Sequence, residues 1–109
     1  MATLHIEPKI EATGQLSTLQ LKGDFTAMDA MDSRSEIIDF ISRNNGEIVL
    51  DLRSVEVIDL AGINILAMAQ RSAEVNQKEL QIQITSSGNI TEWIQMTKMD
   101  KLLNIQTIN

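Results

Sequence analysis

The fold is decided between residues 47 and 70, EIVLDLRSVEVIDLAGINILAMAQ. Residues 48–52 form a short, apolar, β-prone segment, which predicts a buried strand. Residues 53–58 predict a loop, and the apolar pattern that follows predicts a long helix over 61–77. A buried strand that leads into a helix through a short polar loop turns the helix N-terminus, with its unpaired amides, toward the surface. We therefore place the candidate functional site at the start of this helix.

Composition indicates a small globular domain that acts through other proteins. The 109 residues suit one domain, 1–109, and no apolar run approaches the roughly 18–20 residues that cross a bilayer. The start of the chain lacks the basic and apolar blocks of a signal peptide, and the absence of cysteine suits a reducing cytoplasm. A net charge of −6 with few aromatic residues disfavours nucleic acid and anionic membrane surfaces. Protein partners remain, and we expect no direct membrane insertion.

The pattern along the chain predicts an α/β fold. Strands with alternating apolar residues are expected over 4–10, 16–22 and 80–85, the first two forming an antiparallel hairpin with Pro8 at a sheet edge. Helices are expected over 27–43, with Thr26 as N-cap, and over 90–97, before a capped turn over 98–104 and a last strand over 105–108. Strands that alternate with helices after a hairpin indicate a small mixed sheet of four to five strands flanked by three to four helices.

The sequence offers no convergent group for catalysis, a metal or a cofactor. His5 is the only histidine, and the five glycines form no phosphate-binding cluster. Five acids are scattered, and solvated loop and cap positions explain them without a magnesium site: Asp24, Asp29, Asp32, Asp51 and Asp59. Trp93 is expected in or beside the core. Five methionines are expected mostly to fill gaps on helical faces, although an exposed subset would suit protein binding: Met28, Met31, Met68, Met96 and Met99.

Three stretches in register resemble the STAS domain family, the modules of bacterial anti-sigma factor antagonists and of sulfate transporter tails. The first comprises IVLDL at 48–52, Val55, VID at 57–59 and the apolar start of the helix. The second is GDFT at 23–26, which is similar to the family's Gly-Glu-Leu-Asp segment. The third is TKMDKLLNI at 97–105, which resembles the closing segment. Together they span nearly the whole chain.

The resemblance implies a protein-binding regulator of transcription rather than an enzyme. In the family, a Ser or Thr directly after the Asp begins the second helix and is phosphorylated by a kinase that is also the anti-sigma factor. Phosphorylation places about −1.5 to −2 charges at the centre of the contact surface and so switches partners. In this chain the acceptor position is Leu60, and no hydroxyl lies between Val55 and Arg71. Thr26 also stands where the family usually has Asp, and Lys98 where Gly is common.

The expected partner-binding residues surround this uncharged position. Two placements of Leu60 remain open: it folds back onto the core beneath the loop, or it projects with Ile63 to form an apolar patch beside Asn64. Asp59 is then expected at or near the N-cap, where its carboxylate accepts from an amide. The predicted partner-binding set is Thr26, Asp59, Leu60, Ala61, Gly62, Ile63 and Asn64.

Two functional interpretations follow from the resemblance. The first is an anti-sigma factor antagonist in a partner-switching pathway whose switch is fixed in the unphosphorylated-like state, with a serine kinase-like ATPase as partner. The alternative is a cytoplasmic STAS subunit of an ABC lipid-transport complex, docked on a transporter ATPase, or of a signalling scaffold. Control through another hydroxyl, such as Ser33, Ser35 or Ser54, is a third possibility. None of them requires a cofactor.

Overall fold

A single five-stranded sheet organises the molecule. The computed structural model describes residues 4–86 and 88–108; the side chain of Met31 lies outside this description, and so does its expected role. The strands follow one another across the sheet in chain order: β1 (Leu4–Ile10), β2 (Leu16–Phe25), β3 (Glu47–Ile58), β4 (Glu79–Ile84) and β5 (Ile105–Thr107). β1 is antiparallel to β2, and every later pair is parallel. The predicted mixed sheet and opening hairpin are confirmed.

The helices all lie on one face of this sheet. They are α1 (Ala30–Arg43), α2 (Leu60–Val75), α3 (Ile90–Thr97) and a one-turn 3₁₀ helix (Met99–Lys101). Right-handed crossovers between parallel strands that advance in one direction must place each helix on the same side. Leu19, Leu50 and Ile82 therefore point into the core beneath the helices, whereas Gln20 and Gln83 on the opposite face are only half-buried. The result is a two-layer α/β domain with one open, polar sheet face.

Three predicted boundaries are wrong. The expected loop at residues 53–58 is the second half of β3, which stays paired with β2 as far as Phe25 and Ile58. Irregular register within that pairing disturbs the alternation of apolar and polar residues that a regular strand shows. Helix α1 begins at Ala30 with Asp29 as N-cap, because the carbonyl of Thr26 instead closes a turn by accepting from the amide of Asp29 at 3.0 Å. β2 continues three residues past its predicted end at residue 22, to Phe25, beside the extended part of β3. The remaining elements match their predicted ranges within two residues.

The backbone conformation at Lys98 is one that glycine adopts without strain, which agrees with the glycine that is common at this position in the family that the sequence resembles. It ends α3 in the left-handed region, with φ at 59° and ψ at 26°, and its amide donates to the carbonyl of Gln95. A side chain with a Cβ is strained there, whereas glycine is not.

We expect Lys98→Gly to raise the free energy of unfolding by about 1 kcal/mol, because it relieves this strain. Urea unfolding monitored by circular dichroism measures the change. The matched control is Gln95→Gly, which introduces the same residue at an exposed position within α3 and should lower stability by about 1 kcal/mol. Equal loss in both variants would contradict the assignment of strain to Lys98.

Candidate functional site

The candidate site lies where the parallel strands end. β2, β3 and β4 run in the same direction, so their carboxyl ends lead into loops on the same side of the molecule. In open α/β sheets this side is where binding sites form. Three residues or short segments meet there: the turn of residues 26–29, Asp59 at the start of α2, and Asn89 at the start of α3.

Asp59 ties two of these loops together. Its Oδ1 accepts a hydrogen bond from the amide of Gly62 at 3.1 Å, which confirms the expected N-cap of α2. Its Oδ2 accepts from the amide of Ala27 at 3.0 Å, in the turn that follows β2. One carboxylate therefore fixes the position of the turn relative to the helix start.

Gly62 brings α2 into direct contact with the end of β2. A Cβ on Gly62 would lie 2.4 Å from the carbonyl oxygen of Phe25 and 2.7 Å from Cγ1 of Ile58. Its backbone is ordinary helix, so the requirement for glycine comes from close packing and not from the dihedral angles. The first turn of α2 therefore packs directly against the end of β2 at Gly62.

Asn89 continues the sheet where β4 has already ended. β3 last pairs with β4 at Asp51, so Ile58 lacks a neighbouring strand on that side. The Asn89 side chain takes its place: Oδ1 accepts from the amide of Ile58 at 3.1 Å, and Nδ2 donates to the carbonyl of Ile58 at 2.9 Å. Asn89 occupies the N-cap position of α3, but its side chain makes no cap hydrogen bond because it is committed to β3.

Two large apolar side chains, Leu60 and Met28, are exposed at this point. Leu60 projects, with 49% of its surface exposed, so it is not folded back onto the core. Met28 is 78% exposed in the turn before α1; it directly follows Ala27, whose amide is bound by Asp59. Asn64 is exposed one turn further along α2. We call Met28, Leu60 and Asn64 together the helix tip.

Four other predicted residues stand behind the helix tip. Thr26 and Ala61 are half-buried at its edge, and Gly62 is buried against β2. Ile63 is fully buried, so the expectation that it projects beside Leu60 is wrong. The helix turns Ile63 about 300° from Leu60, but packing of α2 on the sheet decides which of the two apolar residues faces inward.

Met28 was the surface residue that sequence reasoning missed. The sequence pattern predicts that Met28 fills a gap on a helical face, but the later start of α1 leaves it in an exposed turn. Met68 and Met96 are exposed as well, whereas Met99 and Trp93 pack against the core. The expectation for Trp93 is confirmed, and the expectation that most methionines fill gaps is wrong.

One buried acid lies away from the helix tip, on the open sheet face. Asp51 was expected at a solvated loop or cap position, and this expectation is wrong. The residue is buried in β3. Burial opposes its ionisation, but Arg53 outweighs this effect and lowers the pKa of the Asp51 carboxyl. Arg53 donates from Nε at 2.9 Å and from Nη2 at 3.0 Å, and its amide also donates, at 3.1 Å. Both carboxylate oxygens of Asp51 thus accept hydrogen bonds from Arg53, which indicates a structural role for the pair.

Within 4–86 and 88–108, no three His, Cys, Asp or Glu side chains are grouped so that they could hold a metal ion. No helix in this part of the chain combines the length and the apolar character that a membrane crossing requires.

Comparison with known proteins agrees with the architecture. The family model described as "Mlab, STAS domain" matches residues 9–104. The chain belongs to the STAS domain family, and the resemblance seen in its sequence is confirmed.

Solved structures share the fold at low sequence identity. An anti-sigma factor antagonist from Mycobacterium paratuberculosis is 18% identical, with a TM-score of 0.78, over 94% of this chain and 85% of that one. The unphosphorylated form of the Bacillus anti-sigma factor antagonist SpoIIAA is 12% identical, with a TM-score of 0.74, over 96% and 89%. A sulfate transporter family protein from Wolinella succinogenes is 21% identical, with a TM-score of 0.64, over 89% and 80%. These structures support the fold.

Proposed function

We propose that this STAS domain is a bacterial, cytoplasmic regulator that binds a protein partner through its helix tip, in the manner of an anti-sigma factor antagonist, and is not switched by phosphorylation there. The observation on which the proposal rests is the exposed Leu60 directly after Asp59. The partner proposed is an ATPase of the kind that acts as anti-sigma factor and serine kinase. Similarity in fold to an anti-sigma factor antagonist supports this choice.

The geometry of the helix tip suits a protein contact. Exposed large apolar side chains on a rigid base are typical of binding surfaces, because their burial stabilises a complex. Asp59, Gly62 and Asn89 supply that base, since each fixes the position of the loop or helix start. Little conformational entropy is then lost on binding.

The chemistry of the helix tip does not suit a phospho-switch. Leu60 has no hydroxyl, and the nearest hydroxyls in sequence on either side are Ser54 and Ser72. Of the other serines considered, Ser33 is buried, which shields its hydroxyl from a kinase. Ser54 lies within β3, six residues before α2, and so does not share the N-terminal dipole of that helix. Ser35 is exposed, but it lies within α1 and not at the N-terminus of α2. The proposed regulator is therefore not switched by phosphorylation at the helix tip.

We expect Leu60→Glu to weaken partner binding at least tenfold, about 1.4 kcal/mol, because it places a charge where the partner contacts an apolar side chain. The fold should persist, since an acid is favourable in the first turn of a helix. The ATPase captured from native lysate by the wild-type protein is purified, and isothermal titration calorimetry compares its affinity for the two forms.

The matched control is Met96→Glu, which places the same charge on a similarly apolar, exposed residue of α3. It should leave the affinity unchanged. Equal affinity of Leu60→Glu and wild type, with both folded by circular dichroism, would overturn the proposal.

A second function is supported by the similarity to a sulfate transporter family protein. In this alternative the domain is a permanently bound, cytoplasmic subunit of a membrane transporter. It binds the transporter's ATPase through the same helix tip. The transporter proposed in this alternative is a lipid-transport ABC complex. A signalling scaffold is a further variant of the same alternative. Co-purification of the captured ATPase with integral membrane subunits, from a detergent extract, would favour the transporter; its recovery as a soluble kinase would favour the regulator.

A further inference from the structure

A second apolar surface lies between α1 and α2, away from the helix tip. Ile38 of α1 and Met68 and Val75 of α2 line a groove of about 310 Å³. Met68 is 37% exposed and Val75 is 74% exposed, so the groove is open to solvent. Arg34 and Arg71 also line it.

The groove lies on a helix face that is more apolar than a face exposed only to solvent normally is. A surface helix normally presents charged and polar residues outward. The outward side of α2 has the polar Asn64 and the charged Arg71, but it also has the apolar Met68 and Val75, about two turns apart, and the whole helix contains only two charged residues, Arg71 and Glu74. Apolar residues that recur at this spacing on an exposed face are the pattern by which one helix packs on another.

The charges beside the groove oppose the charge of the chain. The protein has a net charge of −6, yet the charged side chains that line the groove are the two arginines. Among the described residues, ion pairs form between Arg43 and Asp39 and between Arg53 and Asp51, and neither Arg34 nor Arg71 takes part in one. Two guanidinium groups beside an apolar floor are left for carboxylates of another molecule.

We propose that the groove between α1 and α2 binds an amphipathic helix of a partner protein whose apolar residues are flanked by Asp or Glu. Met68 and Val75 are about 10 Å apart along α2, so a partner helix of about three turns covers the groove. A second copy of this chain fits less well, because a symmetric contact would bring the arginines of one copy toward those of the other. This surface is separate from the helix tip and does not depend on the function proposed there.

Two synthetic peptides test the proposal. Each has 15 residues with leucines at the same positions of one helical face; one has Glu beside the leucines, and the other has Lys at those positions. Fluorescence anisotropy measures their affinity for the full-length protein, and amide chemical shifts map the contact. We expect the Glu peptide to bind at least tenfold more tightly and to shift residues of the groove. The net charge of the protein alone predicts the opposite preference.

Three variants complete the test. The double variant Arg34→Glu/Arg71→Glu should invert the preference, and Met68→Asp should abolish binding of the Glu peptide. Leu60→Glu, at the far end of α2, should leave peptide binding unchanged, so a failure here is distinguishable from a failure at the helix tip. Equal affinity for the two peptides, a preference for the Lys peptide in the wild type, or shifts confined to other surfaces would overturn the proposal. A wild-type dimer in light scattering that Met68→Asp dissociates would also overturn it, in favour of a second copy.

Discussion

Replacing Asn89 by alanine is expected to lower the free energy of unfolding by about 2–3 kcal/mol, which corresponds to a fall in melting temperature of about 10 °C or more. The side chain makes two hydrogen bonds to the backbone of Ile58, and alanine leaves both the amide and the carbonyl without these partners. The two groups lie at a part-buried position, where water compensates only in part. Thermal and urea unfolding by circular dichroism measure the loss.

Two comparisons separate this role from helix capping. Asn89→Asp keeps the acceptor for the Ile58 amide but sets a carboxylate against the Ile58 carbonyl, so it should also destabilise the protein at neutral pH. A residue whose only role was to cap α3 would tolerate this change, because Asp is as good an N-cap as Asn. Hydrogen exchange should show faster exchange of the Ile58 amide in Asn89→Ala. Stability of Asn89→Asp equal to that of the wild type would contradict the role assigned here.

Gly62→Ala is expected to destabilise the protein by about 1–3 kcal/mol, although alanine is the better helix former by about 1 kcal/mol. The reason is steric: the new Cβ would meet the carbonyl oxygen of Phe25 at 2.4 Å, and a backbone atom cannot rotate away. Either α2 or the end of β2 must then move. Urea unfolding gives the stability, and amide chemical shifts report the movement at the helix tip.

The matched control for Gly62→Ala is Asn64→Ala, two residues along the same helix. Asn64 is exposed, so this substitution adds helix propensity without a clash and should raise stability slightly. A Gly62→Ala protein more stable than the wild type would show that α2 can lift from the sheet at no cost. In that case the rigid base proposed for the helix tip would not exist.

In the proposed function these two residues hold the helix tip in the position in which it binds its partner. Asn89 holds the end of β3 and Gly62 sets the distance of α2 from β2, while Leu60 projects from the first residue of α2 and Met28 from the turn before α1. Moderately destabilising substitutions of Asn89 or Gly62 are therefore expected to weaken partner binding, although neither side chain is proposed to contact the partner.

The sequence by itself determined the parts of the protein that depend on local periodicity. The order of strands and helices and the hairpin with Pro8 at the edge follow from repeats of two and of three to four residues within each segment. The cap of α2 is local as well, since Asp59 and Gly62 are three residues apart. These features could be predicted because the residues that define each one are neighbours in the chain.

Only the tertiary structure decided the features that join distant residues. The second half of β3 is a strand because β2 lies beside it, and no pattern within residues 53–58 indicates that neighbour. Asp59 reaches Ala27 over 32 residues, and Asn89 reaches Ile58 over 31, so a local cap signal explains only part of the contacts of Asp59 and neither hydrogen bond of the Asn89 side chain. Whether Leu60 or Ile63 faced solvent depended on how α2 packs on the sheet, because both residues are equally apolar and burial is decided by the surface that the helix meets.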